Sequence, residues 1–169
     1  MLKVLVPVDA SVNALGAVRH ALREYERDHE LELHVLNVQP RLSRHVARFL
    51  SRGDRSAWHH EQADAATAAA RALLTRAGVP HQVHWVVGER AAEICRMARS
   101  LGVHHIVLGS ARKNSITRML EDSMTHRLLE ATPVPVEVVS GPAVSRWERW
   151  GLPAGAAALL GGALMLAVD

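Results

Sequence analysis

Short apolar runs alternate with helical periodicities along most of the chain. Leu2 to Val8, with Val4, Leu5 and Val6 consecutive, reads as a buried parallel strand that Asp9 ends. Ser11 is placed to cap the next helix, in which Val12, Leu15, Val18, Leu22 and Tyr25 recur at steps of three and four. Leu31 to Val38 is a second strand, and the interleaved Glu32 and His34 predict a place nearer a sheet edge. Residues 39–56 form a polar, arginine-rich connection. Ala57 to Ala77 is an alanine-rich helix stopped by Gly78. His81 to Val87 is a third strand. Glu89 to Leu101 is a helix with Ala91, Ile94, Ala98 and Leu101 on one face, followed by Gly102. His104 to Leu108 is a fourth strand, ending at Gly109. A polar loop over 110–122, a short helix from Ser123 to Glu130 and a fifth strand from Val134 to Val139 complete the pattern.

Strands alternating with helices predict βαβ units, and hence an α/β fold around a mostly parallel sheet. Ligands of such sheets bind at the carboxyl ends of the strands, near the switch in strand order. Asp9 and the segment after Gly109 both fall at strand carboxyl ends, which makes them the first place to look for a site.

Composition narrows the chemistry. The chain has 169 residues, 49% of them hydrophobic, enough for one domain with a sizeable core and a remainder. Its formal charge is +3, from 20 basic and 17 acidic residues, too small a surplus to imply nucleic acid as a partner. A single cysteine, Cys95, excludes an intrachain disulfide and a cysteine metal cluster, and its place beside the apolar face of the third helix makes it a packed thiol. The opening MLKVLVPVDA, interrupted by Asp9, does not read as a signal peptide. The chain contains no G-x4-G-K-[ST], G-x-G-x-x-G or G-x-S-x-G signature. There are 11 histidines, but spacing along the chain sets no metal site. His59–His60 and His104–His105 are adjacent and diverge, His81 and His84 fall on opposite faces of a strand, and HEQAD at His60 lacks the second histidine of a zinc-protease helix. No acid–base pair can be placed, so no reaction can be named; the expectation is a non-enzyme, with slow ATP hydrolysis as a third reading.

Four segments, LVPVDAS, VGERAAEICRMA, HHIVLGS and TPVPVEVV, resemble the universal stress protein family in their order and spacing, over residues 1 to about 140. The resemblance implies a Rossmann-like, doubly wound, five-stranded parallel sheet of order 3-2-1-4-5 with helices on both faces, and dimerisation through the last strand, Val134 to Val139. One branch of the family binds ATP through G-x2-G-x9-G followed by Ser or Thr, whose glycines admit backbone N–H groups to the phosphates. Against that motif Gly109 matches the first glycine, Ser123 the final hydroxyl, and Asp9 the aspartate on the adenine side. Arg112 and Asp122 stand where the second and third glycines belong. A side chain at 112 obstructs backbone approach. A carboxylate at 122 repels a phosphate at ~4 Å by about 4 kcal/mol at an effective dielectric of 20, roughly a thousandfold in affinity. Asp122 can instead cap the short helix, and Asp9 the first turn after the first strand, while Arg112 with Lys113 can hold a phosphate by its side chain. The expectation is no cofactor, with ATP as the alternative in a site of Asp9, Gly109, Arg112 and Ser123.

Two further features point to a membrane. Gly151 to Val168 is eighteen residues without a charged or polar side chain, preceded by Trp147 and Trp150 and by Arg146 and Arg149. As a helix it spans about 27 Å, close to the hydrocarbon core of a bilayer, and the arginines keep the domain cytoplasmic. Ala154, Ala158 and Gly162 recur every fourth position, as in closely packed helices. The competing reading is a helix packed on protein in water. If residues 41–52 are helical, Arg41, Arg44, Arg48 and Arg52 share one stripe opposite Leu42, Val46, Phe49 and Leu50. That stripe could lie on an anionic membrane surface, or Phe49 and its neighbours could cover the sheet.

The chain is therefore expected to be a dimeric, non-enzymatic stress-response module, residues 1–142, with a hydrophobic tail over 143–169. It would sit on the cytoplasmic side of a bacterial inner membrane, or free in the cytoplasm, and recruit an unknown protein partner. The alternative is a nucleotide sensor (ATP or AMP) with an altered phosphate loop.

Overall fold

The computed structural model describes residues 2–110 and 125–140. In chain order the elements are β1 (Leu2–Pro7), α1 (Val12–Arg27), β2 (Leu31–Gln39), α2 (Arg44–Ala47), α3 (Arg52–Arg76), β3 (His81–Val87), α4 (Arg90–Leu101), β4 (His105–Ser110), a helix α5 over residues 125–131, and β5 (Val136–Ser140). All strand pairs are parallel, and the sheet order is β3-β2-β1-β4-β5. The five-stranded doubly wound fold is therefore as expected.

The alternation of side chains across each strand divides the core into two layers. Val4, Val6, Leu33, Val35 and Val107 face α1 and α3, whose Ala17, Val18, Ala21, Ala70 and Leu74 are buried against them. Leu5, Leu36, Ile106 and Leu108 face the other way, onto Ile94, Cys95 and Ala98 of α4 and Leu128 of α5. Small residues on the helices let them lie close to a sheet of larger branched ones. Cys95 is packed as expected, and burial pushes its thiol above the ordinary range.

The helix ends follow local chemistry. Ser11 accepts from Ala14 N–H at the start of α1. Ser51 and Asp54 form a reciprocal capping box at the start of α3. Glu89 caps α4 by accepting from Ala91 and Ala92 N–H groups. Gly102, at φ 61°, closes α4 in the left-handed conformation that favours glycine.

β2 lies next to the edge strand β3, as expected, yet its polar residues do not expose it: it is buried along nearly its whole length. Its polar residues have a partner on the true edge strand, since His34 Nδ1 lies 3.0 Å from His84 Nε2 of β3. Residues 41–52 do not make one amphipathic helix. Ser43 caps the four-residue α2, the chain turns, and Ser51 starts α3 at Arg52, so the four arginines share no helical stripe. Phe49 does not cover the sheet; it is 73% exposed, with the Arg48 guanidinium stacked 4.7 Å from its ring centre.

Candidate functional site

β1 and β4 are neighbours in the sheet although β2 and β3 lie on the other side of β1, so the strand order switches between them. A cleft of about 110 Å³ opens there, at the carboxyl ends of the strands. Its floor is apolar: Val8, Leu36, Val38, Ile94 and Leu108. Its rim is polar: Asp9, Ser11, Asn13, Arg90, Ser110 and Thr125.

Asp9 stands where β1 ends, and both its oxygens are engaged. Oδ1 accepts from Ser11 N–H at 3.1 Å, and Oδ2 lies 3.8 Å from Arg90 Nη1. Asp9 thus shapes the turn into α1 while Ser11 supplies the cap. The base of this corner is held from below. Asn37 Nδ2 donates to the Val8 carbonyl at 2.8 Å, and Gln39 Nε2 donates to Asn37 Oδ1. These two buried amides account for polar residues in an otherwise apolar strand.

Gly109 lines the same cleft. A Cβ at this position would overlap the Asn13 carbonyl and the Ala14 nitrogen. The glycine is required by the close passage of β4 under the first turn of α1, whether or not a phosphate ever meets it. Ser110 and Thr125 both line the cleft. Arg112 and Ser123, with Asp122, lie outside the described residues.

The structure brings Asp9 and Gly109 to one cleft. Arg90 was not singled out in the sequence. It is the first residue of α4, and the signal that could have found it is its position at a helix start directly after a strand. Two helix termini face this region with different character. α4 has the Glu89 carboxylate on its N–H groups, whereas α1 has the Ser11 hydroxyl on Ala14 N–H and the Asp9 carboxylate on the N–H of Ser11 itself. A guanidinium, a carboxylate and an apolar floor suit a ligand with an anionic group and a flat apolar part.

The arginines of the 39–56 connection go elsewhere. Arg41 and Arg52, with Arg55, line an open groove beside β3 that also contains His59 and Trp85.

The Universal stress protein family profile matches residues 1–140. The chain belongs to the universal stress protein family. A comparison with curated protein sequences finds no match. Among solved structures, a universal stress protein family member from Burkholderia pseudomallei is 25% identical, with a TM-score of 0.59 over 81% of this chain and 94% of that one. The universal stress protein UspA of Lactobacillus plantarum is 23% identical, with a TM-score of 0.65 over 82% of this chain and 97% of that one. A family protein of Arabidopsis thaliana with AMP bound is 17% identical, with a TM-score of 0.62 over 85% of this chain and 94% of that one. The last two likenesses concern the fold.

Proposed function

We propose that this universal stress protein is a regulatory binding module whose switch-point cleft takes an adenine nucleotide with a short phosphate chain. The observation that carries the reading is the pairing of Asp9 and Arg90 across the rim of an apolar-floored cleft. In this reading the Asp9 carboxylate accepts from the adenine amino group, as the family resemblance implies. Arg90 turns from Asp9 to the phosphate, and Leu36, Val38 and Ile94 cover the ring. AMP in the Arabidopsis relative supports the ligand class. Arg112 and Asp122, in place of two glycines, argue against a third phosphate. Binding rather than reaction is favoured because the Asp9 carboxylate is engaged by Ser11 N–H and Arg90 and, among the described residues, no second acid or base lines the cleft.

Calorimetric titration with AMP, ADP and ATP tests this. The expected result is micromolar AMP binding, at least tenfold weaker ATP binding, and at least tenfold loss of AMP affinity in Arg90→Ala. No heat with any of the three at millimolar concentration would overturn it.

The wider setting is part of the same proposal. β5 is an edge strand, which supports dimerisation through Val134 to Val139. Gly151 to Val168 lies outside the described residues, and the tether to the cytoplasmic face of the inner membrane rests on its apolar sequence alone. Among the described residues no helix is long and apolar enough to cross a membrane.

A further inference from the structure

A second cluster of chemistry lies away from the cleft, between α1 and the far edge of the sheet. His20 and Glu24 are one turn apart on α1. Glu137 projects from β5 and His105 from the start of β4, both on the α1 face of the sheet. His20 Nε2 lies 2.8 Å from Glu137 Oε1 and 3.5 Å from Glu24 Oε1. The other Glu24 oxygen, Oε2, lies 3.5 Å from His105 Nε2. The ligand atoms of His20, Glu24 and Glu137 all fall within 4.8 Å of one another.

Charged imidazoles would pair with these carboxylates, but the geometry is not that of hydrogen bonds. His20 Nε2 and Glu24 Oε2 are shielded from solvent and make no hydrogen bond of acceptable geometry despite the short separations. Buried polar atoms are seldom left so. Among the described residues neither Glu24 nor Glu137 pairs with an arginine or lysine. Two carboxylates therefore meet at one imidazole nitrogen, and a divalent cation would balance them. Zinc bound at 2.0–2.1 Å in a tetrahedron places its ligand atoms roughly 3.3 Å apart; here the separations from His20 Nε2 are 2.8 and 3.5 Å, and all three ligand atoms lie within 4.8 Å of one another. One imidazole with two carboxylates is a donor set for zinc and its first-row neighbours rather than for calcium, which takes six or more oxygens.

We propose that His20, Glu24 and Glu137 bind one divalent transition-metal ion of the zinc class. Water takes the remaining position, and His105, whose Nε2 lies 3.5 Å from the outer oxygen of Glu24, would turn to donate to it once the metal is bound. Such second partners of a ligating carboxylate orient it for the metal. The site is separate from the nucleotide cleft: His20 stands about 10 Å further along α1 than Asn13. It would tie α1 to the edge strand β5, so that metal availability sets how firmly that edge is held.

The test uses the full, untagged chain, stripped with a chelator and titrated with zinc chloride against a chromogenic competitor. The expected result is one zinc per chain, lost in His20→Ala and in Glu137→Gln, weakened 10–100-fold in His105→Ala, and unchanged in His60→Ala on the exposed side of α3. Zinc should also raise the melting temperature of the natural protein and not that of Glu137→Gln. Glu137 is partly exposed on an edge strand, so this near-isosteric variant keeps the fold if His20→Ala does not, and its melting curve without zinc establishes that. Substoichiometric binding, or binding that survives Glu137→Gln, would overturn the inference.

Discussion

Gly109 illustrates how one residue can carry two readings. By motif it is a phosphate-loop glycine; by geometry it is the residue that lets β4 pass beneath Asn13 and Ala14. The two readings separate experimentally. Gly109→Ala must push α1 away from β4, and overpacking of this kind costs about 1–3 kcal/mol. The expected outcome is that loss in urea denaturation without any nucleotide present. An unchanged midpoint would return Gly109 to a ligand role alone. Arg90 is the converse case. Its identity drew no attention in the sequence, because a lone arginine at a helix start is ordinary. Only the fold places it opposite Asp9. Strand-end residues such as Asp9 and Gly109 are legible from pattern because the position itself is informative. Residues that reach a site from another element are not.

At the scale of elements, the strands and the longer helices were legible because each has a strong period and a chemical stop. The errors fell where polar residues had partners that no local pattern reveals. Glu32 and His34 made β2 look half-exposed, yet His34 is 1% exposed and meets His84 across the β2–β3 pair. In 39–56 the serines, not the arginines, decided the structure, since Ser43 and Ser51 each start a helix. The His34–His84 contact also predicts a pH response. Burial lowers both histidines from their ordinary value of 6.5, in His34 with Glu32 opposing and His84 and Lys3 adding to the effect. One ring must donate to the other, so a doubly charged pair loses the bond. The unfolded chain therefore takes up protons that the folded chain refuses. The stability contributed by the neutral pair is present above pH 6.5 and is lost as pH falls through the lowered values. Urea midpoints at pH 8 and pH 5.5 should show this fall, and His84→Val should make it smaller. An equal fall in the variant would assign the acid sensitivity to other groups.

For the whole molecule, the decisive feature is the outer side of β5, which pairs with no strand among the described residues. Ile106 N–H donates to the Pro135 carbonyl at 2.9 Å. By the alternation of a parallel ladder, Glu137 and Val139 then turn their N–H groups toward β4, while Val136 and Val138 turn theirs outward. An open edge of this kind invites a second strand, and Val138 is exposed on it. If two copies join there, replacing Val138 removes an intermolecular hydrogen bond without touching the sheet inside either copy. Val138→Pro should therefore shift the full chain in detergent solution from dimer to monomer by sedimentation, with an unchanged melting temperature at low concentration, because proline is tolerated where no internal N–H is lost. Retention of the dimer would move the interface to another surface, with the Gly151 to Val168 segment and its four-residue repeat of small residues as the next to test. A monomer that also melts early would mean instead that β5 depends on Val138 for its own place in the sheet, and would leave the edge without a demonstrated partner.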